Sequence, residues 1–158
     1  ILPETLGKIW EGAFAGCKAL EEINIPSHLK IIDKSAFRNS GLKSLNIEIS
    51  DGGKCLVYDK AFASCKHLES VYLNKNVKIV ERMAFADCTS LKTIEFEQPS
   101  LTCCAGEINA TMLIGCTSLE KIIVPKNKYN HYPDFNIQGY ESAQFETRDF
   151  NSLVTPKE

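Results

Sequence analysis

The chain has 158 residues, of which 44% are apolar, and a formal charge of −2. That length suffices for one domain with a continuous core, and the composition excludes a disordered chain. There is no basic excess to suggest nucleic acid, no polybasic run to suggest anionic lipid, and no apolar run near the roughly 20 residues of a membrane helix.

From the N-terminus, Ile9 is followed by Ala13 and Phe14, then Cys17, Leu20, and the spaced pair Ile23 and Ile25. The same order returns as Ile31 and Ile32, Ala36 and Phe37, Ser40, Leu42, Leu45 and Ile47. It returns again from Leu56 and Val57 through Phe62, Cys65 and Leu68 to Val71 and Leu73, and from Ile79 and Val80 through Phe85, Cys88 and Leu91 to Ile94 and Phe96. A fifth, weaker copy reads Leu113, Cys116, Leu119, Ile122 and Val124. Such periodicity means a solenoid of about five stacked repeats. The spacing between Phe positions is 23, 25, 23 and 28 residues; the arc from Phe to the apolar pair stays at 10 or 11, whereas the return arc runs from 12 to 17. The unit therefore has a rigid half and a half that accepts insertions, at 48–56 and 97–111.

The rigid half, L-x-x-[ILV]-x-[ILF], ends in strand alternation, so its last two apolar residues point to one side. Stacked copies pair as parallel strands about 4.8 Å apart, and each buried Leu, Ile or Phe is worth roughly 1.5–3 kcal/mol. The apolar cluster of the return arc predicts a short second strand. The stretch after it is too short for a stable helix, so a single helical turn is expected around each Ala and Phe. The residues after the strand leucines, Glu21, Lys43, Glu69, Lys92 and Glu120, alternate in sign from rung to rung. Pairs of this kind fix which rung lies beside which more than they stabilise, at about 0.2–1 kcal/mol each.

Cys17, Cys65, Cys88 and Cys116 share one repeat position with Ser40. A residue recurring in register is a structural rung, and these cysteines are expected to be reduced, acting as small apolar groups with a weak donor. Cys55, Cys103 and Cys104 fall in the inserted segments and are expected to be less constrained, with a vicinal disulfide between the last two as the alternative. His28, His67 and His131 are scattered and no C-x-x-C occurs, so neither a metal site nor a cofactor is expected. Asp51, Gly52 and Gly53 read as a turn, and Cys65 with His67 as ladder and surface residues, not as nucleophile and base. No catalytic motif is present.

Past Pro125 the repeat stops and six aromatics follow: Tyr129, Tyr132, Phe135, Tyr140, Phe145 and Phe150. Residues 1–125 are therefore read as the solenoid and 126–158 as a C-terminal cap with a polar tail from 151. The chain begins at Ile1 without Met, inside a repeat, and is read as truncated there. Ile1 to Trp10 offers no polar cover, so that end is expected to continue into further sequence or to self-associate.

The pattern L-x-x-I-x-I-P followed by A-F-x-x-C resembles the BspA-like class of leucine-rich repeats. Leu20, Ile23, Ile25 and Pro26 carry the resemblance, with Ala61, Phe62, Cys65, Leu68, Val71 and Leu73, and then Ala84, Phe85, Cys88, Leu91 and Ile94. The family's glycine after the second apolar cluster is replaced by Trp10, Asp33, Tyr58 and Glu81, and the fifth copy has Met112 and Leu113 for Ala and Phe. The resemblance implies a leucine-rich repeat solenoid, a right-handed β/α superhelix with one parallel strand per repeat and short helical or 3-10 turns on the return arc. It also implies an exported or surface-attached protein of bacteria or some protozoa, associated with adhesion and with binding host or partner proteins. It brings no catalytic residues.

The outward columns of the strand face are the expected partner-binding residues: Glu22, Ser70, Thr93 and Lys121 in one, Asn24, Asn46, Tyr72, Glu95 and Ile123 in the next. Tyr72 has hot-spot character, and Ile123 is expected to add apolar surface. The expected function is non-enzymatic protein recognition or adhesion by a microbial surface or secreted protein. The alternative is a structural spacer in a larger protein whose binding lies in another domain.

Overall fold

Like strands stack on like strands in register. A computed structural model describes residues 1–97, 110–125 and 144–148. Within it, β1 (Lys8–Ile9), β2 (Ile31–Ile32), β4 (Cys55–Val57) and β6 (Val77–Val80) form a four-stranded parallel sheet. A five-stranded sheet contains β3 (Ser44–Ile47), β5 (Ser70–Leu73), β7 (Thr93–Phe96), β8 (Lys121–Pro125) and β9 (Gln144–Arg148), again all parallel. Leu45 lies opposite Val71, Val71 opposite Ile94, and Ile94 opposite Ile122, so each core residue sits over its counterpart. Strand alternation turns these side chains inward and Ser44, Asn46, Ser70 and Tyr72 outward. The second strand predicted on the return arc is the four-stranded sheet. The described residues form a solenoid of stacked parallel strands with very little helix.

At the two ends of the described stack the strands differ from the sequence reading. Ile23 and Ile25 form no strand; Lys43 N–H donates to Glu21 C=O (3.0 Å), but Phe14, Leu20, Ile23 and Ile25 of this coil are only half-buried. Strand β9 lies inside the stretch expected to cap the molecule, and it extends the strand face by another rung. The rest of that stretch lies outside the described residues, as do Cys103, Cys104 and most of the 97–111 insertion.

The phenylalanine column runs as expected. Ring centroids of Phe14, Phe37, Phe62 and Phe85 are 5.0, 5.1 and 5.4 Å apart, with planes within 7° of parallel. That spacing matches the strand repeat and falls in the range where aromatic pairs attract by about 0.5–1.5 kcal/mol beyond burial. Backbone bonds run beside it: Phe14, Phe37 and Phe62 N–H donate to Ala36, Ala61 and Ala84 C=O at 2.7, 2.7 and 2.8 Å.

The predicted helical turn around Ala and Phe is replaced by successive tight turns, and a 3-10 turn occurs only at Ala110–Leu113 of the fifth coil among the described residues. Bonds such as Phe37 C=O to Ser40 N–H (3.1 Å) have 3-10 spacing. A left-handed residue stands two before and two after each Phe: Gly12 and Gly16, Ser35 and Asn39, Lys60 and Ser64, Met83 and Asp87. These reversals end each helical turn before it can propagate. Only the first coil uses glycine at both corners; the others hold side chains in a conformation that costs about 1–2 kcal/mol. Gly41 answers a different need, because a methyl there would collide with the backbone carbonyl of Lys18.

The alternating charge column pairs Lys43 with Glu21 (2.7 Å) and Lys92 with Glu69 (3.0 Å), both exposed. Cys55, expected to be loosely held, lies instead in β4 and is fully buried, facing the core with Val57. Just before it, the insertion is tied down by a buried amide: Asn76 Nδ2 donates to Ile49 C=O (2.9 Å) and Ser50 C=O (3.2 Å).

Replacing Phe62, which stacks on both neighbours, by Ala should lower unfolding free energy by about 3–5 kcal/mol. Lys60→Gly should raise it by about 0.5–1 kcal/mol, since relief of the left-handed strain exceeds glycine's entropy cost. Urea unfolding of the two variants checks the opposite signs.

Candidate interaction surface

The outward face of the five-stranded sheet is built by strand alternation, and its residues differ in how far they reach solvent. Asn46, Ser70, Tyr72, Thr93 and Glu95 come together in a shallow concavity of about 460 Å³, with Ser44 and Glu48. Tyr72 is half-buried at its centre. Burial pushes its phenol above the ordinary 10.0, and the hydrogen bond to Glu97 and the nearby carboxylates Glu48 and Glu95 push the same way. Tyr72 is thus a neutral donor held among acceptors.

Glu95 is only 18% exposed and receives Arg148 Nη1 at 2.7 Å from β9, two strands away. Lys121 on the next rung meets Glu146 at 3.1 Å, and the Lys121 ammonium holds that carboxyl below its usual range. Asn46 Nδ2 donates to Glu48 Oε1 (2.8 Å). Ile123 corrects the sequence reading: it is 4% exposed and offers no apolar surface. Glu22 and Asn24 belong to an adjoining concavity, which shares Ser44 and Asn46 with the Tyr72 group. They line it beside the first coil with Ile1, Phe14 and Ile23, and its volume is about 810 Å³. There Asn24 Oδ1 accepts from Leu2 N–H (3.1 Å).

Glu48, Glu97 and Arg148 were missed in the sequence. The first two could have been found by carrying the period of two past the strand ends, from Asn46 to Glu48 and from Glu95 to Glu97. Arg148 gives no such signal, because it lies 53 residues from Glu95 and past the last copy that the spacing shows, which ends at Val124.

The cysteine column forms a second constellation, and it is built into the scaffold. Cys65, Cys88 and Cys116 Sγ donate to the carbonyls of Phe37, Phe62 and Phe85 in the preceding coil at 3.1, 3.2 and 3.1 Å. Ser40 Oγ stands 3.4 Å from Cys65 Sγ. The first member, Cys17, is exposed. Cys65 is buried whereas His67 is exposed, so the two do not form a nucleophile and base. Among the described residues no three His, Cys, Asp or Glu side chains converge as metal ligands, and no helix is long and apolar enough to cross a membrane.

Comparison with known proteins agrees with this geometry. The sequence matches the BspA type leucine-rich repeat region, a six-copy pattern, over residues 1–98 and again over 55–152. The chain belongs to the BspA-type leucine-rich repeat family. Repeats of this family are in general non-enzymatic scaffolds for protein interaction. The chain is similar to the crystal structure of a leucine-rich repeat protein from Bacteroides ovatus ATCC 8483, with 21% identity, a TM-score of 0.44, and coverage of 96% of this chain and 54% of that one. This BspA-type chain thus spans about half the length of that relative. No curated protein matches the sequence significantly.

The buried thiols make stability depend on pH. Burial raises Cys55 from the ordinary 9.0 to about 12. The folded thiol stays protonated where the unfolded one ionises, so the folded state binds more protons between those values. The contribution is complete below about pH 9 and is lost as pH rises through about 12, at roughly 1.4 kcal/mol per pH unit for one proton. Urea midpoints should therefore fall over that window, and Cys55→Ala should make the fall shallower.

Proposed function

We propose that this BspA-type chain is a protein-recognition or adhesion module of a microbial surface or secreted protein, acting without catalysis through its strand face. The family's usual association with bacterial surface or secreted proteins supports the location. The observation that carries the site is the concavity centred on Tyr72, where a half-buried aromatic ring lies among polar side chains from three adjacent strands. Interface hot spots favour this combination of a rigid ring and a polar tip. A host or other surface protein is the proposed partner.

A second reading, a spacer whose binding partner is met by another domain, draws on the ion pairs of Glu95 with Arg148 and Lys121 with Glu146, which satisfy the face internally. The two readings diverge in a binding assay of the whole chain against purified extracellular proteins. For any partner bound, Tyr72→Ala and Glu95→Ala should each weaken affinity at least about tenfold, equivalent to roughly 1.4 kcal/mol. Unchanged affinity in both variants would remove the strand face as the site.

The partly exposed apolar side chains of the first coil support self-association of this chain, because Phe14, Leu20 and Ile23 are half-buried and surround the concavity of about 810 Å³. Sedimentation velocity over a range of concentrations should show reversible association that Phe14→Asp weakens. A monomer at every concentration would overturn this part of the proposal.

A further inference from the structure

The outer surface of the four-stranded sheet differs in chemistry from the strand face. Ile31 and Leu56 lie side by side in register, with Ile79 next in line. Their chain neighbours Ile32, Val57 and Val80 are fully buried in the core, so alternation turns Ile31, Leu56 and Ile79 outward, where each is half-buried.

The insertion folds back over one end of this apolar stripe. Ser50 N–H donates to Ser27 C=O (2.9 Å), its hydroxyl lies 3.1 Å from His28 Nδ1, and Gly53 N–H closes a turn on Ser50 C=O (3.0 Å). The Asn76 amide secures the same segment from the third coil. The result is a groove of about 640 Å³. Ile31 and Leu56 form its floor, residues 50–53 its wall, and Lys30, Lys54 and His28 its rim. That volume lies in the range of roughly 300–1,000 Å³ typical of ligand sites, and a wall fixed before binding lowers the entropy cost of capture.

Charge decides what fits. The one carboxylate at the groove, Asp51, is already engaged by Lys75 at 3.1 Å. Lys30 and Lys54 have no ion pair among the described residues, so the uncompensated charge above the apolar floor is positive. The floor is recessed between wall and rim, which suits an inserted side chain better than a flat bilayer. We propose that this groove docks an extended peptide segment of a partner protein, with an apolar side chain on Ile31 and Leu56 and flanking Asp or Glu carboxylates on Lys30 and Lys54. The site is separate from the Tyr72 concavity and does not depend on it.

The test uses the whole chain and a fluorescein-labelled peptide of alternating leucine and glutamate, read by fluorescence anisotropy. Saturable binding that weakens with salt is expected. The doubly reversed variant, Lys30→Glu with Lys54→Glu, should lose at least about tenfold in affinity and gain affinity for the matching leucine–lysine peptide. Both substitutions are at exposed lysines, and circular dichroism checks that the fold is kept. No saturable binding, equal affinity for the two peptides, or indifference to the charge reversal would overturn the proposal. Tighter binding to phosphatidylglycerol vesicles than to the peptide, abolished by the same reversal, would also overturn it, by making a lipid surface the occupant.

Discussion

Phe37, Phe62 and Phe85 are each bonded to the next coil through both of their backbone polar groups, and the solenoid's regularity depends on that. In the second coil, Phe37 N–H donates to Ala61 C=O, and Phe37 C=O accepts from the Cys65 thiol as well as from Ser40 N–H. The same arrangement recurs at Phe62, with Ala84 and Cys88. Such a corner carbonyl lies beyond the reach of a strand ladder, and the thiol gives it a bond that runs between coils, where Ser40 N–H bonds only within one. The thiol is small and apolar enough to be buried and still carries a hydrogen to give. The rings then stack at the spacing that the backbone sets, and the strand registers on the two sheets follow from it.

Much of this could be read in the chain because it repeats. A feature that recurs at the same position in every coil becomes a column in space, so the phenylalanines, the thiols, both strands and the alternating charges could all be placed from their spacing. Features that occur once could not. Asn76 looks like any loop asparagine until coil stacking brings Ile49 within reach of its amide. Residue counting puts Cys55 in the 48–56 insertion, but β4 begins with that thiol, so the insertion stops two residues short of the counted end. Ile123 was assigned to the surface by alternation alone, which says which side a residue faces and not what else covers that side. The left-handed corners were hidden for a different reason: lysine, methionine, serine and aspartate occupy them where glycine would have announced them.

The two sheets divide the exterior into unlike surfaces. The five-stranded face is polar, and its charges are largely answered within the chain, through Arg148, Lys121 and Asn46. The four-stranded face sets isoleucine and leucine outward beside lysines. Neither surface contributes to the core, so each can change without disturbing the stack. The strand face is also the one that β9 extends, placing a rung after the point where the repeats cease to be recognisable by eye.

The Asn76 contacts separate the length of a coil from its pitch. The surplus backbone of the second coil is looped outward and anchored by two carboxamides from its neighbour, those of Asn74 and Asn76, so strands on either side keep their alignment despite the added residues. A chain built this way can acquire or shed segments along one edge and present new contours there, while the interior geometry passes unchanged from coil to coil.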